Sequence, residues 1–179
     1  LEVATLAAGC FWCIEGAFGI IKGVERIEPG YTGGTAANPS YEAVCTGTTG
    51  HAEAAQIYFD PKMISFREIL EVFFTMHDPT SLNRQGADVG TQYRSAIFYN
   101  SPEQKATAEK LIDELDKEGI WNKPIVTAIE PLGKFYPAEF YHKEYYKKHA
   151  AEPYCQVVIA PKIAKLQQRF LNKIKMPAE

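Results

Sequence analysis

The sequence predicts an α+β protein: an α/β sandwich with a mixed sheet, a split β-α-β-β-α-β, ferredoxin-like core and extra helices around it. Three observations predict this fold. Strand-like and helix-like segments alternate along the chain, their connections are short, and no internal repeat or linker interrupts them. A chain of 179 residues suits one domain with a sizeable core. We therefore expect residues 1–179 to form a single domain, in which residues 150–179 are a C-terminal extension.

Hydrophobic periodicity and terminal signals place the individual elements. Apolar side chains recur at helical spacing in Phe11, Ile14 and Phe18. Ser65 followed by Glu68 is a capping box, and Ser101 with Pro102 is a helix start. We expect strands at 3–7, 24–29, 52–59, 94–99 and 126–130, helices from 11 and at 66–76, 102–117, 138–149 and 162–175, and loops at 35–50 and 78–92.

Charge and composition exclude several classes of protein. The net charge of -3 argues against a nucleic-acid binder, which needs a basic face. No run approaches the roughly 20 apolar residues of a membrane span, and no signal-peptide pattern is present. We expect a monomeric, cytoplasmic protein that binds neither nucleic acid nor membrane.

The first chemical motif is Gly9-Cys10-Phe11-Trp12-Cys13, at the junction of a strand and a helix. A helix N-terminus carries about half a positive charge, which stabilises a thiolate and lowers a cysteine pKa. The alternative interpretation of Cys10 is a buried structural cysteine. Cys10 and Cys13 also form Cys-x-x-Cys, which is compatible with a redox pair or half of a zinc site. Zinc is disfavoured because there is no second Cys-x-x-Cys and the four histidines are scattered.

Two further polar motifs stand where strands begin. Glu53, in Gly50-His51-Ala52-Glu53, would be a general acid if burial kept it protonated, whereas spacing alone favours a solvent-facing side chain. His51 is expected to bond loop backbone. The segment 88–95 combines Asp88, Tyr93 and Arg94, which could equally be a polar turn. Tyr41 is a second candidate phenol.

In this order the motifs resemble those of the A-type peptide methionine sulfoxide reductases, the methionine-S-sulfoxide reductases. The resemblance covers residues 5–155; Gly-Cys-Phe-Trp is specific to that family, and the segments 49–53, 90–95 and 139–142 reinforce it. Cys13 departs from members with Gly there, and the tail after Pro161 departs from a Gly-rich ending.

The resemblance implies the chemistry of a single catalytic domain. Cys10 would be the nucleophile, and Phe11 and Trp12 would hold the substrate's S-methyl group. The sulfoxide oxygen would lie among Glu53, Tyr41 and Tyr93. Asp88 would be a polar partner in the same site. Cys10 would become a sulfenic acid, and a second thiol would convert it to a disulfide. The substrate would be the S epimer of methionine sulfoxide, free or in proteins, with no cofactor or metal and with thioredoxin or another dithiol as external reductant.

The sequence leaves the identity of the resolving cysteine open. By resemblance, Cys155 lies where many family members place their resolving cysteine, on the C-terminal segment. It is placed ahead of Cys13, because a helical i, i+3 pair also needs local distortion to form a disulfide. Cys45 is interpreted as structural or incidental. Two rival functions remain: a thioredoxin-like dithiol-disulfide exchanger that uses Cys10 and Cys13, and a zinc-held binding module.

Overall fold

The computed structural model of the protein describes residues 1–169, apart from the side chains of Tyr146, Leu166 and Gln167. The elements, in chain order, are β1 (Glu2–Ala8), α1 (Phe11–Phe18), β2 (Val24–Thr32), α2 (Tyr41–Cys45), β3 (Ala52–Phe59), α3 (Phe66–Met76), β4 (Arg84–Gln85), β5 (Asp88–Val89), β6 (Ser95–Tyr99), α4 (Pro102–Glu118), β7 (Ala128–Pro131), β8 (Tyr136–Pro137), α5 (Tyr145–Lys148) and α6 (Ala160–Arg169). Short 3-10 turns occupy Thr91–Tyr93 and Phe140–His142, and Cys155–Ile159 is a π-helical turn before α6.

None of the helices within residues 1–169 has the length and apolar character that crossing a bilayer requires.

The six strands of the main sheet confirm the predicted fold class. Their order is β7-β6-β1-β3-β2-β8, and β4 with β5 forms a separate hairpin. Strands β1, β2, β3 and β6 are antiparallel neighbours in the ferredoxin-like arrangement, while β7 pairs with β6 in parallel and makes the sheet mixed. The alternation of strands and helices in the sequence was sufficient to predict this core.

The main core lies on the helical face of the sheet. Alternate residues of β1, Ala4, Leu6 and Ala8, pack there, while Ala7 faces a smaller cluster around Phe98 on the opposite side. Helices α1, α3 and α4 bury their apolar stripes in the main cluster, together with the turn at 155–159 and Ile163 of α6. The cysteines at 10, 13 and 155 all belong to this cluster.

Helix starts follow the expected caps. The Ser65 hydroxyl accepts from the main-chain N–H of Glu68, whose carboxylate accepts from the N–H of Ser65. Ser101 caps α4 and Pro102 begins it. These caps are local, which explains why the bounds of α3 and α4 were predictable from the sequence.

Four segments differ from the sequence prediction. The loop expected at 35–50 contains α2, which Ser40 caps, and the loop expected at 78–92 contains the β4–β5 hairpin. The single helix expected at 138–149 is wrong: it is divided into a 3-10 turn and α5, because Glu139, with a ψ of 147°, and Glu144, with a φ of 55°, do not have helical backbone. The C-terminal helix begins at Ala160, earlier than expected, and the prediction for 170–175 lies outside the described residues.

Candidate active site

Cys10 lies at the tip where β1 passes into α1. Gly9 before it has a φ of +90°, a conformation that favours glycine and turns the chain into the helix. Cys10 itself is the N-cap, with extended backbone at φ -62° and ψ 128°, so it precedes the helix and is not part of it. Its side chain is only 6% exposed.

The thiols of Cys10 and Cys13 are hydrogen-bonded partners. Cys10 donates to the Cys13 sulfur, and this bond lowers the pKa of Cys13 to about 7. Burial, the same hydrogen bond and the nearby charge of Glu53 raise the pKa of Cys10. The expectation of a lowered Cys10 pKa is therefore wrong, since loss of water around the buried sulfur outweighs the partial charge of the helix N-terminus.

Glu53 lies on β3 and is fully buried. Its Oε1 accepts a hydrogen bond of 3.2 Å from the main-chain N–H of Phe11, whereas Oε2 is buried without a partner. Burial raises the pKa of Glu53 to about 8. The carboxyl group is therefore protonated at neutral pH, in agreement with the buried acid considered from the sequence, and the solvent-facing alternative is wrong.

Aromatic rings line the same region. The Phe11 ring lies 6.3 Å from the Tyr41 ring and 6.4 Å from the indole of Trp12, between centroids. Tyr145 of α5 stacks on the Trp12 indole at 3.8 Å, and the ring of His142 lies 4.4 Å from Tyr41. These side chains form an apolar wall beside Cys10 and Glu53.

Two phenols share the electrostatic environment of Glu53. Burial, and next the charge of Glu53, raise the pKa values of Tyr41 and Tyr93. Both hydroxyls therefore stay protonated and available as hydrogen-bond donors at neutral pH. The sequence motifs at 41, 53 and 93 are thus brought together by α2, β3 and the 3-10 turn after β5.

Asp88 is connected to the C-terminal segment. Its Oδ2 accepts a hydrogen bond of 2.8 Å from the hydroxyl of Tyr154, which immediately precedes Cys155. The Tyr154 ring meets the Trp12 indole edge-on at 5.8 Å. The Tyr154 hydroxyl lies beside both thiols. Burial, and next the charges of Cys10 and Cys13, therefore raise its pKa.

Backbone contacts hold the loops around the site. Glu139 accepts hydrogen bonds of 2.9 Å from the Tyr31 hydroxyl and from the main-chain N–H of Tyr41. His51 bonds the N–H of Gly34 and the carbonyl of Ala36, as expected for a loop anchor. Arg94 donates to loop carbonyls, among them that of Gly50, and so contributes to the same support.

The four cysteines are all free. Cys155 is fully buried, and burial raises its pKa. Cys45 is exposed and contacts the Tyr41 hydroxyl. Among residues 1–169, no three His, Cys, Asp or Glu side chains are grouped so that they could hold a metal ion.

Sequence reasoning gave no role to His142 or Tyr154. In the sequence, His142 stands out only as one of four scattered histidines and as part of the segment 139–142, and Tyr154 only as the neighbour of Cys155. Their contacts join parts of the chain that are far apart: His142 lies 130 residues from its partner Trp12, and Tyr154 lies 66 residues from Asp88. The unusual density of aromatic residues in 135–154 was the one available signal.

Fold and site together define a thiol oxidoreductase, and comparison with known proteins specifies which one. The family model described as peptide methionine sulfoxide reductase matches residues 2–174. A peptide methionine sulfoxide reductase MsrA of Saccharolobus solfataricus is 54% identical over 98% of this chain and 98% of its own length. The chain belongs to the peptide methionine sulfoxide reductase family, and it is a methionine sulfoxide reductase.

Solved structures agree with this assignment. Mxr1 from Saccharomyces cerevisiae in reduced form is 36% identical, with a TM-score of 0.80 over 86% of this chain and 88% of that one. Mxr1 in complex with Trx2 is 26% identical, with a TM-score of 0.56 over 80% of this chain and 84% of that one.

Proposed function

We propose that this chain reduces the S epimer of methionine sulfoxide, free or in proteins, with Cys10 as the nucleophile. One observation carries the proposal: the Cys10 thiol lies beside a buried, protonated carboxyl group whose Oε2 has no partner, in Glu53. A sulfoxide sulfur becomes a good electrophile only when its oxygen is protonated or strongly hydrogen-bonded. A neutral acid can supply that proton, whereas a carboxylate cannot.

The attacking thiolate arises by transfer of one proton within the cysteine pair. Cys10 passes its proton along the existing hydrogen bond to Cys13, whose lowered pKa leaves it partly ionised. The Cys10 thiolate then forms a bond to the substrate sulfur while Glu53 protonates the oxygen. Methionine leaves, and Cys10 carries the oxygen as a sulfenic acid.

The surrounding side chains hold the substrate in place. Phe11 and Trp12 provide an apolar wall for the S-methyl group. The hydroxyls of Tyr41 and Tyr93 donate hydrogen bonds to the oxygen as negative charge develops there, and such a donor typically contributes a few kcal/mol in the transition state. Asp88 positions the Tyr154 side chain at the edge of the same site.

We propose Cys13 as the resolving thiol, because it already contacts Cys10. Cys10 has extended backbone and is not inside the helix, which relieves the distortion expected for an i, i+3 disulfide. The Cys13 thiol attacks the sulfenic sulfur, an S–S bond forms, and the hydroxyl leaves as water with the Cys13 proton. The two hydrogens of that water come from Cys10 and Glu53, and solvent protonates Glu53 again. Cys155, in the same core cluster, is the alternative resolver.

An external dithiol then reduces the disulfide, and we propose thioredoxin in this role. The structural similarity to Mxr1 in complex with Trx2 supports such a partner.

No cofactor enters the proposed steps. We also propose that the chain acts as a single catalytic domain and as a monomer. Four free thiols fit a reducing compartment, so we place the protein in the cytoplasm.

The proposal is tested by single-turnover reduction of the two sulfoxide epimers, with thiols counted before and after. Cys10→Ser should abolish methionine formation, and wild-type protein should lose two thiols per S-epimer turnover. Cys13→Ser should give one turnover and a sulfenic acid, but no thioredoxin-driven cycling, whereas Cys45→Ser, the control, should cycle normally. Methionine formation by Cys10→Ser would contradict the proposal. Cycling that survives Cys13→Ser and stops in Cys155→Ser would make Cys155 the resolver.

A further inference from the structure

His142 is a buried histidine whose tautomer the structure fixes. The indole N–H of Trp12 donates a hydrogen bond of 3.2 Å to Nδ1 of His142. An indole nitrogen only donates, so Nδ1 must carry a lone pair, and the single ring hydrogen of neutral histidine must be on Nε2. Burial lowers the pKa of His142, which keeps the ring neutral at physiological pH.

The resulting Nε2–H is an unused hydrogen-bond donor. His142 is 1% exposed, and Nε2 has no hydrogen-bond partner. A buried polar group without a partner costs free energy, and such groups are rare in folded proteins unless water, an ion or a ligand supplies the partner. The ring stands next to Phe11 and Tyr41, at 5.1 and 4.4 Å between centroids, so this donor lies among the side chains proposed to hold the substrate.

Two buried donors without partners therefore flank Phe11. At its main-chain end is Glu53, which accepts from the Phe11 N–H and has an unpartnered Oε2. At its ring end is His142. A methionine sulfoxide residue likewise offers two oxygen acceptors at opposite ends of a short chain: the sulfoxide oxygen and the main-chain carbonyl oxygen.

Resting on the proposed function, we propose that the Nε2–H of His142 donates a hydrogen bond to the main-chain carbonyl oxygen of the methionine sulfoxide residue. His142 thereby favours amino-acid and peptide sulfoxides over simple dialkyl sulfoxides, which have no carbonyl group. Trp12 has a second task in this arrangement, because its indole N–H maintains the tautomer that makes Nε2 a donor.

The test compares kcat/KM for N-acetyl-methionine-S-sulfoxide amide with kcat/KM for dimethyl sulfoxide. His142→Phe retains a planar ring and removes the donor; we expect the ratio of the two values to fall about tenfold, as for loss of one hydrogen bond. His142→Gln, which can again donate from its amide, should recover part of the ratio. His149→Phe is the matched control at a half-buried histidine, and its ratio should equal that of wild-type protein.

The ratio separates recognition of the carbonyl group from damage to the pocket, because damage lowers both rates together. A ratio in His142→Phe within twofold of wild type overturns the inference, whether both rates are preserved or both fall. A wild-type protein that reduced neither sulfoxide would refute the proposed function itself. Nitrogen-15 NMR of the histidine rings gives an independent reading: we expect the Nε2–H tautomer at His142, and an Nδ1–H or doubly protonated ring at pH 7 overturns the inference.

Discussion

The main-chain N–H of Phe11 donates a hydrogen bond of 3.2 Å to Oε1 of Glu53, which makes the two oxygens of that carboxyl group unequal. Because Oε1 accepts this hydrogen bond, the proton of the neutral acid resides on Oε2, which is buried without a partner. The acid is therefore held in one orientation before any substrate arrives. Four predictions follow from this arrangement and from the contacts around it.

The rate of the reduction step should fall at alkaline pH. The pKa of Glu53 is about 8, so above this value the group loses the proton that the sulfoxide oxygen needs. Glu53→Gln should lower the single-turnover rate about 100-fold or more, as is typical for loss of general acid catalysis. Its pH profile should also lack the alkaline decline. A Gln variant with the wild-type rate and profile would contradict a proton-donating role.

Folding stability should fall as pH rises from about 4.5 to about 8, because the Glu53 pKa is raised from 4.5 to about 8 in the folded state. Between these values the folded protein holds a proton that the unfolded chain has lost, so rising pH favours unfolding. Each unit of pKa difference is worth about 1.4 kcal/mol, which gives a loss of a few kcal/mol. Urea unfolding at pH 5 and pH 8 measures it.

Two variants separate the contributions to that pH dependence. Glu53→Gln should remove most of the loss, and Glu15→Gln a smaller part, because burial raises the pKa of Glu15 to about 7 only. A Glu53→Gln protein that lost as much stability as wild type over this range would show that the carboxyl group is ionised in the folded state.

Tyr154 should protect the two active-site thiols from reagents. Its ring lies edge-on to Trp12 and its hydroxyl is held by Asp88, while Cys10 is 6% exposed. Tyr154→Ala should increase the rate of alkylation of Cys10 by iodoacetamide about tenfold or more, as followed by mass spectrometry. Tyr154→Phe, which preserves the ring, is the matched control and should react close to the wild-type rate. Equal rates in all three proteins would exclude a protective role.

Gly34 should be intolerant of a larger side chain. A Cβ at this position would overlap the main chain of Thr49, Gly50 and His51. Gly34→Ala should therefore destabilise the protein by about 1–3 kcal/mol and lower kcat/KM, since the displaced loop leads to Tyr41. Gly133→Ala, in open space, is the control and should behave like wild type in both thermal unfolding and activity. The prediction fails if the two variants are equally stable.

The sequence was informative wherever the determinant of structure is local. The capping box of Ser65 and Glu68 is contained in four residues, and the helix that it begins has the predicted bounds, Phe66–Met76. The pattern of strands and helices predicted a ferredoxin-like core because apolar periodicity reflects burial on one face. The motifs around residues 10, 41, 53 and 93 meet at one place in the fold.

Sequence patterns failed where structure depends on distant contacts. No helical signal could show that Glu139 is engaged by Tyr31 and Tyr41, which removes it from the helix expected there. The lowered pKa expected for Cys10 neglected its burial and its bond to Cys13, since neither follows from position at a helix tip. The Nε2–H donor of His142 likewise depends on a distant contact, because the hydrogen bond from Trp12 fixes the tautomer of the ring.

The exposure of Cys45, in contrast to the burial of the other three cysteines, makes it a selective attachment point. A maleimide dye should couple there first, without any need to remove the inner thiols by mutation. Because Cys45 lies next to the Tyr41 hydroxyl, the fluorescence of such a label would report movements of α2 during turnover. The wild-type protein could therefore be labelled and followed without any mutation.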